Sequence, residues 1–426
     1  MISILRKLKN DIVLKGTIYV TAGVLLASSS GYLLQLFLGR FLSIQDYGEI
    51  NSLLALSSVL AIPTAALTNA LIKVVSNLKS KNDFQVLTKL FVNIIAITIV
   101  GGGILMLIIV LFRSPLKNYL NISSSSVVLW FSVYTLFTVL SIGPSSFLRG
   151  LQRYKGFAFH ITFGGFNRLL LVIVFVILGL RVNGVFFGYI IGAVASLIVA
   201  FLLLKKNFTK YKPINISKTY KFIFKTTIST AFLSSILILL NSTDMILVKH
   251  FFTPEDAGLY ALVVTVGKIF VFGTSTIALV MFPFVSEAHA KKQNYSRKFY
   301  QLLFIQILVL LSAGIVFVFF SDLLVSIMFG KTFLVVTEFI PLYTLFSAFY
   351  VSINFLLMYL LAIDKSSFFM FLVPFAALQY YLISKFHGSI YEIIWDNVIT
   401  SGALLFVIIA YMLVIQFKSK SIFSKT

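Results

Sequence analysis

Apolar runs of about 20 residues, the length of a helix that crosses a bilayer, recur along the whole chain. Short polar segments separate these runs, and no connection is long enough to fold as a soluble domain. The pattern predicts an all-α polytopic membrane protein with about twelve transmembrane helices. The predicted spans cover residues 15–38, 48–75, 87–112, 127–148, 157–179, 184–204, 221–248, 257–284, 298–320, 334–361, 366–384 and 390–416.

A polar segment at the start of the second span recurs in the second half of the chain. Its first copy is LGRFLSIQDYGEIN at residues 38–51, and its second is VKHFFTPEDAGLYA at residues 248–261. In each copy a Ser or Thr stands three residues before an Asp, as in a capping box at a helix N-terminus. We call this segment the outer turn motif and predict a structural role for its residues. They are Arg40, Ser43, Asp46, Gly48, Thr253, Asp256 and Gly258.

The repeat predicts a protein built twice. An even number of predicted spans separates the copies, so both halves would cross the membrane in the same direction, as in parallel-repeat transporters. We therefore expect two six-helix bundles, at residues 1–204 and 221–426. A basic cytoplasmic linker at residues 205–220 would join them.

Composition and charge agree with a membrane protein. The chain is 59% hydrophobic and 11% charged, with a mean hydropathy of +1.01, whereas soluble domains are about 25% charged. With the N-terminus inside, 25 Lys and Arg residues fall on the cytoplasmic side and 7 fall outside. By the positive-inside rule this asymmetry predicts that both termini are cytoplasmic. It also explains most of the net charge of +22 without nucleic-acid binding.

Charged residues within the spans point to function, because an ionised side chain in the bilayer is costly and usually faces a cavity. Arg168 and Lys268 lie near mid-depth in the fifth and eighth predicted spans. Lys73 lies near the cytoplasmic end of the second span, where its side chain could instead extend to the interface. We predict that these three cations bind the substrate in a cavity. An ion pair between Lys268 and Asp244 is the structural alternative.

Other polar side chains within the spans are candidates for lining the same cavity or binding a coupling ion. They are Asp244, Asn241, Gln35, Asn167 and Asp396. Small polar residues also join membrane helices to one another, so packing is the alternative for these positions. The histidines are scattered and no phosphate-binding glycine loop follows a strand. The sequence therefore predicts no metal site and no cofactor.

The outer turn motif, together with RGLQRYKG at residues 149–156, resembles the polysaccharide-repeat-unit (O-antigen or oligosaccharide) flippases. These belong to the multidrug/oligosaccharidyl-lipid/polysaccharide exporter superfamily. The resemblance implies a V-shaped pair of six-helix bundles. They would move a polyprenyl-pyrophosphate-linked oligosaccharide from the cytoplasmic to the outer leaflet by alternating access, for surface polysaccharide biosynthesis. The second copy departs from the pattern, with His250 in place of Arg40 and Ala257 in place of Tyr47.

The resemblance also implies a setting and partners. The protein would lie in a bacterial or archaeal cytoplasmic (inner) membrane, with the lipid-linked glycan and membrane lipid as its partners and no nucleic acid. Proton or sodium coupling and association with polysaccharide polymerase machinery are further expectations.

Two other function classes stay open. A multidrug/cation antiporter of the same superfamily would prefer a deep carboxylate, and Asp244 is the residue that could provide it. A membrane polysaccharide polymerase or ligase needs positioned acid–base groups near a large external loop. The predicted outer loops are short, which disfavours an enzyme.

Overall fold

The computed structural model describes residues 12–208, 216–291 and 293–423, and within these ranges all regular structure is helical. The α-helices are α1 (Ile12–Phe41), α2 (Ile44–Leu60), α3 (Ile62–Ser80), α4 (Phe84–Leu111), α5 (Arg113–Tyr119), α6 (Ser125–Leu140), α7 (Ile142–Gly150), α8 (Tyr154–Ile177), α9 (Arg181–Leu204), α10 (Ser217–Leu240), α11 (Thr243–Phe251), α12 (Pro254–Thr274), α13 (Thr276–Ala290), α14 (Ser296–Phe319), α15 (Ser321–Met328), α16 (Ile340–Ala362), α17 (Val373–Lys385) and α18 (Ile390–Phe423). Short 3₁₀ helices occupy Lys205–Asn207, Lys331–Phe339 and Ser366–Leu372.

Within the described ranges, ten helical segments are long and apolar enough to cross a membrane, or eleven when the pair α2–α3 counts as one bent span. The chain is thus a multi-pass, all-helical membrane protein. The predicted number of twelve spans is not confirmed, and the internal repeat stays a prediction. In the pair α2–α3 the axis bends by 49°. The bend follows from Pro63 in the first turn of α3, which has no N–H to continue the helix.

The seventh predicted span, residues 221–248, is wrong as a continuous helix. Helix α10 ends at Leu240 and α11 begins only at Thr243. At the break, Ser242 has φ −135° and ψ −24°, outside the helical region. The polar run that starts at Asn241 explains the interruption, because Asn, Ser, Thr and Asp side chains compete for backbone hydrogen bonds.

Contacts divide the chain into two compact units, unit 1 (Met1–Ala231) and unit 2 (Phe232–Thr426). The division falls inside α10. The predicted bundle limits and linker stay a prediction, and residues 209–215 of the predicted linker lie outside the described residues.

Unit 1 is built around α8, which packs closely against both α1 and α9. Small residues allow this approach, as is common between membrane helices. A Cβ added to Gly23 of α1 would lie 2.7 Å from the Cα of Ala158 on α8. One added to Gly188 of α9 would lie 2.7 Å from the backbone nitrogen of Val172. Glycine is therefore required where these helix backbones meet.

The connections of unit 1 meet at two ends. At one end, Lys79 Nζ donates to Gln152 Oε1 (2.9 Å), and Arg153 Nη1 donates to the carbonyl oxygen of Leu203 (2.6 Å). We call this the basic end of unit 1; it comprises the turns at residues 80–84, 149–155 and 204–208. The turns at residues 42–46, 120–125 and 178–181 meet at the other end. The Lys- and Arg-rich connections of unit 1, which the positive-inside rule assigns to one side of the membrane, thus lie at the same end of the unit. Which side faces the cytoplasm stays a prediction.

Unit 2 is built around α16, whose side chains pack with α10, α13, α14 and α18. Aromatic rings tie its elements together. The Phe299 and Tyr359 rings lie 3.9 Å apart between α14 and α16. Those of Phe368 and Tyr411 stack at 3.7 Å. By contrast, α14 leaves most of its apolar surface uncovered, as expected for a helix in contact with lipid.

Candidate functional site

The first copy of the outer turn motif starts α2. Ser43 is the N-cap residue, and its Oγ accepts the N–H of Asp46 (3.2 Å) as predicted. The Asp46 carboxylate does not close a reciprocal capping box. It instead accepts two hydrogen bonds from Arg181, from Nε and Nη2, each at 2.9 Å. Asp46 therefore ties α2 to the start of α9, and Gly48 is buried in the next turn.

The second copy starts α12. Thr253 Oγ1 accepts the N–H of Asp256 at 3.2 Å and donates to Asp256 Oδ2 at 2.7 Å. This closes the turn through the two side chains, so the capping box is again not reciprocal with the backbone. Gly258 is buried, whereas Arg40, at the end of α1, is exposed. Both copies thus lie at helix starts, in keeping with the structural role that we predict.

Arg168 lies well inside the membrane-spanning part of unit 1. It is about 21 Å along α8 from the first residue, at about 1.5 Å per residue. Its guanidinium carbon is 5.1 Å from the centroid of the Tyr189 ring, a cation–π contact. Its Nε atom is buried without a hydrogen-bond partner. Among the described residues, no carboxylate forms an ion pair with Arg168. The guanidinium therefore keeps donors available for an anion.

The Arg168 side chain lines a cavity of about 300 Å³ within unit 1. Tyr134, Tyr189, His160 and Ser196 supply further polar groups to its wall. A space of this size holds several water molecules, at about 30 Å³ each. We call it the Arg168 cavity. It combines a cation with neutral hydrogen-bonding groups inside a membrane-spanning bundle, which suits an anionic, polar ligand.

His160 has partners on two neighbouring helices. Its Nε2 lies 3.0 Å from Ser145 Oγ on α7, and its Nδ1 lies 3.0 Å from Ser196 Oγ on α9. Both ring nitrogens are thus occupied and the ring is buried. These bonds fix one wall of the Arg168 cavity, so His160 positions helices and needs no ligand to satisfy it.

A second buried polar site lies in unit 2 around Asp244. Asp244 Oδ2 accepts the hydroxyl of Tyr260 at 2.6 Å and the amide of Asn397 at 3.4 Å, and Oδ1 accepts the N–H of Met245 at 2.8 Å. The 2.6 Å separation is typical of a hydroxyl bonded to a carboxylate. We call these residues the Asp244 network. It gathers groups from α11, α12 and α18 directly after the break at the end of α10.

The Asp244 network continues to α17. Gln379 Nε2 donates to Asn397 Oδ1 (2.7 Å) and to the carbonyl oxygen of Leu240 (3.1 Å). Gln379 Oε1 and Thr400 Oγ1 are buried, and neither atom has a hydrogen-bond partner among the described residues. Lys268 interacts favourably with Asp244 electrostatically, which supports the ion-pair alternative for Lys268.

Comparison with known proteins identifies the family. The family model described as "Polysaccharide biosynthesis protein" matches residues 13–289, more than half of the chain. The chain belongs to this polysaccharide biosynthesis family. No curated protein matches it in sequence.

Solved structures with the same fold are exporters and flippases. An inward-facing multidrug resistance MATE family transporter of the MOP superfamily matches with TM-score 0.73 and 11% identity, over 91% of this chain and 95% of that one. The lipid II flippase MurJ, in an inward closed conformation, matches with TM-score 0.70 and 15% identity, over 93% and 87%. A MOP superfamily transporter from Pyrococcus furiosus matches with TM-score 0.59 and 12% identity, over 94% and 96%. At these identities the likeness shows the fold alone.

In this member of the polysaccharide biosynthesis family, the other predicted site residues of unit 1 lie outside the Arg168 cavity. Lys73 is exposed, with its Nζ 5.5 Å from the centroid of the Phe222 ring. Gln35 donates to Asn51 Oδ1 at 3.3 Å and joins α1 to α2. Asn167 is half-buried, and its side chain forms no hydrogen bond within the described ranges. None of these three residues lines the Arg168 cavity.

The remaining predicted residues of unit 2 lie outside the Asp244 network. Asn241 is half-buried at the break after α10 and forms no side-chain hydrogen bond among the described residues. Asp396 is buried, but its Oδ2 has no hydrogen-bond partner, and its charged neighbour is Glu392 one turn earlier on α18. Asp396 is thus not part of the Asp244 network, whereas the next residue, Asn397, is central to it.

Sequence reasoning missed the partners of both charged groups. Tyr189 stands between Gly188 and Gly192, a small-residue spacing that marks a close helix contact and could have drawn attention to α9. Asn397 follows Asp396 directly, and a helix turns by about 100° per residue, so only one of the two can face Asp244. The sequence does not indicate whether Asp396 or Asn397 faces Asp244.

Proposed function

We propose that this protein flips a polyprenyl-pyrophosphate-linked oligosaccharide from the cytoplasmic to the outer leaflet, by alternating access, for surface polysaccharide biosynthesis. The single observation that carries the proposal is Arg168, whose buried Nε has no partner and whose guanidinium lines a polar cavity at membrane depth. Membership of the polysaccharide biosynthesis family and the shared fold with a lipid II flippase support the same substrate class.

The chemistry of the cavity suits a pyrophosphate. Exposing phosphate charges to hydrocarbon is strongly unfavourable, because their hydration is lost without compensation. A guanidinium replaces part of that hydration with paired N–H···O bonds. The hydroxyls of Tyr134 and Tyr189 can bond further phosphate or sugar oxygens. Lys268 of unit 2, also predicted to bind the substrate, interacts with Asp244, so the proposal does not rest on it.

The membrane potential favours the proposed direction. An inside-negative potential drives an anion outward with about 2.3 kcal/mol per charge per 100 mV. A pyrophosphate with about two uncompensated charges would gain about twice that amount. Symport of cations would cancel the gain, so the dependence of the rate on potential reports whether ions are coupled.

Transport by reconstituted protein tests the proposal. The assay measures how fast a fluorescent pyrophosphate-linked glycolipid in proteoliposomes becomes accessible to an external quencher. We expect Arg168→Ala to slow transport more than tenfold, because losing a charge-assisted hydrogen bond is worth about 1.5–3 kcal/mol and about 1.4 kcal/mol is tenfold in rate. Arg168→Lys should recover part of the rate. Arg113→Ala, which removes an exposed arginine of α5, is the matched control. Full transport by Arg168→Ala protein would refute the proposal.

A second candidate, a cation antiporter, is favoured by the Asp244 network. A buried carboxylate surrounded by amide and hydroxyl oxygens, with Gln379 Oε1 and Thr400 Oγ1 lacking partners, could also bind a coupling proton or sodium ion for a flippase. Substrate competition separates the two functions. Transport of organic cations that pyrophosphate glycolipid does not inhibit, abolished by Asp244→Asn, would establish the antiporter. Glycolipid transport that a sodium or proton gradient accelerates only in the presence of Asp244 would establish a coupled flippase.

A further inference from the structure

The basic end of unit 1 carries a concentration of positive charge that the Arg168 cavity does not explain. Arg149, Arg153 and Lys155 lie on the turn between α7 and α8, and Lys79 reaches the same turn from α3. None of these four side chains forms an ion pair with a carboxylate in the part of the chain that the structure describes. The turn is therefore strongly electropositive.

The turn has a fixed backbone. Gln152 takes the left-handed conformation, with φ +58°. Its N–H donates to the carbonyl oxygen of Arg149 (2.9 Å), and the N–H of Arg153 donates to that of Leu148 (2.9 Å). These bonds close α7 in the manner of a Schellman motif. The cations on the turn are thus displayed from a defined scaffold.

Two adjacent cavities open at this turn. One, of about 410 Å³, is lined by Arg153 and Lys155. The other, of about 290 Å³, is lined by Arg149. Gln152 and Tyr154 contribute to both walls. The cations therefore border open, concave pockets instead of projecting only into bulk solvent.

Neutral contacts hold the cations in place without cancelling their charge. The guanidinium carbon of Arg149 lies 5.4 Å from the Phe157 ring centroid, and Lys155 Nζ lies 5.1 Å from that of Tyr19. These cation–π contacts orient the side chains. Lys79 in turn lies close enough to Arg153 for the two positive charges to repel each other. An anion bound between the side chains would relieve that repulsion.

A basic connection in unit 2 shows a different arrangement. Lys291, after α13, forms an ion pair with Glu287 one turn earlier. A lysine that only sets membrane orientation can be paired in this way and needs no cavity. The unpaired cations of unit 1 and the pockets beside them thus require another explanation. The N-terminus of α8 adds to the positive potential, because no side chain caps its first N–H groups.

We propose that the turn at residues 149–155, together with Lys79, is a binding site for the phosphate groups of a lipid headgroup. The ligand is either an anionic phospholipid or the pyrophosphate of an isoprenoid carrier lipid; the second source rests on the proposed function. If the ligand is the carrier lipid, the site holds it before its headgroup reaches the Arg168 cavity. If the ligand is an anionic phospholipid, the site anchors unit 1 to the membrane surface.

Binding of defined lipids to the purified full-length protein tests the site. The probes are farnesyl pyrophosphate, dioleoyl phosphatidylglycerol and, as an uncharged reference, farnesol, each titrated in detergent and followed by native mass spectrometry. The double variant Arg149→Gln, Arg153→Gln should weaken binding of at least one phosphate-bearing probe by about tenfold or more, since both cations contribute charge-assisted bonds. The control is Lys205→Gln, Lys206→Gln, which removes the same charge from exposed residues at the same end.

The single variant Lys155→Gln guards against a folding defect, because Lys155 is exposed and its loss leaves the turn intact. It should weaken binding about threefold with an unchanged melting temperature, and added salt should weaken wild-type binding. Equal effects of the turn variants and the control would overturn the proposal, as would farnesol binding as tightly as farnesyl pyrophosphate. Preference for farnesyl pyrophosphate over phosphatidylglycerol identifies the carrier as the source.

The same measurements separate this inference from the proposed function. The turn substitutions should weaken probe binding by the same factor in the wild-type and Arg168→Ala backgrounds, although Arg168→Ala protein transports slowly. Wild-type protein that binds the probes at the turn but moves no glycolipid would overturn the proposed function and leave the lipid site standing. Intact glycolipid transport, together with normal probe binding by the turn variants, would overturn the lipid site and leave the proposed function standing.

Discussion

Removing one hydroxyl from the Asp244 network tests its contribution to unit 2. In Tyr260→Phe protein, Asp244 Oδ2 loses the donor at 2.6 Å, and the Asn397 amide loses an acceptor at 3.2 Å. The site is fully buried, so water cannot replace either partner. A hydrogen bond to a charged group contributes about 1.5–3 kcal/mol. We therefore expect the free energy of unfolding to fall by about 2–3 kcal/mol.

Tyr350→Phe in the same unit is the matched control. The Tyr350 hydroxyl donates to the carbonyl oxygen of Leu237 at 3.3 Å, a longer bond to a neutral acceptor. Its loss should lower the free energy of unfolding by only about 0.5–1.5 kcal/mol. Both variants can be compared by reversible unfolding in mixed micelles, with helicity followed by circular dichroism as the denaturing detergent is increased.

A double-mutant cycle isolates the bond between Tyr260 and Asp244. In an Asp244→Asn background the acceptor is neutral, so Tyr260→Phe should cost about 1 kcal/mol less than it does with the carboxylate present, giving a measurable coupling energy. A Tyr260→Phe effect no larger than that of Tyr350→Phe, with no coupling to Asp244, would refute the reasoning and leave the network without energetic weight.

Two further substitutions test the packing and the ion pairing of unit 1. Gly188→Ala would place a Cβ 2.5 Å from Val172 Cγ2, so we expect thermal unfolding to show a loss of about 1–3 kcal/mol in the free energy of unfolding. Gly101→Ala is the control; its added Cβ would have no atom within 4 Å, so this variant should be neutral or more stable by about 1 kcal/mol. Equal melting temperatures would contradict the close approach of α8 and α9. Arg181→Lys keeps the positive charge opposite Asp46 but loses the paired hydrogen bonds. Because the arginine side chain is 68% exposed, denaturation should show that the free energy of unfolding falls by less than about 1 kcal/mol.

Properties that repeat along the chain could be predicted from the sequence. Membrane-spanning helices follow from apolar length, because every spanning backbone must satisfy its own hydrogen bonds. The starts of α2 and α12 follow from Ser43 and Thr253, since capping is a local interaction. Arg168 could be singled out as a candidate site residue because a charge at that depth is costly wherever its partners lie.

Long-range pairings could not be predicted in this way. The Asp46 carboxylate bonds to Arg181, which lies 135 residues away, so the local capping box that its spacing suggests does not close. Whether Asp396 or Asn397 faces Asp244 depends on the rotation of α18, which packing sets. The end of α10 at Leu240 depends on competition between the polar run and the helix, and length alone cannot decide it.

The most direct test of the account is the charge selectivity of transport. The same fluorescent oligosaccharide, linked to a polyprenyl chain through a pyrophosphate or through a monophosphate, would be offered to wild-type, Arg168→Ala and Arg113→Ala protein in proteoliposomes. We expect wild-type protein and the Arg113→Ala control to prefer the pyrophosphate substrate. Arg168→Ala should reduce this preference by about tenfold, as expected for one lost charge-assisted contact. An unchanged preference in Arg168→Ala protein would contradict the claim that Arg168 binds the pyrophosphate.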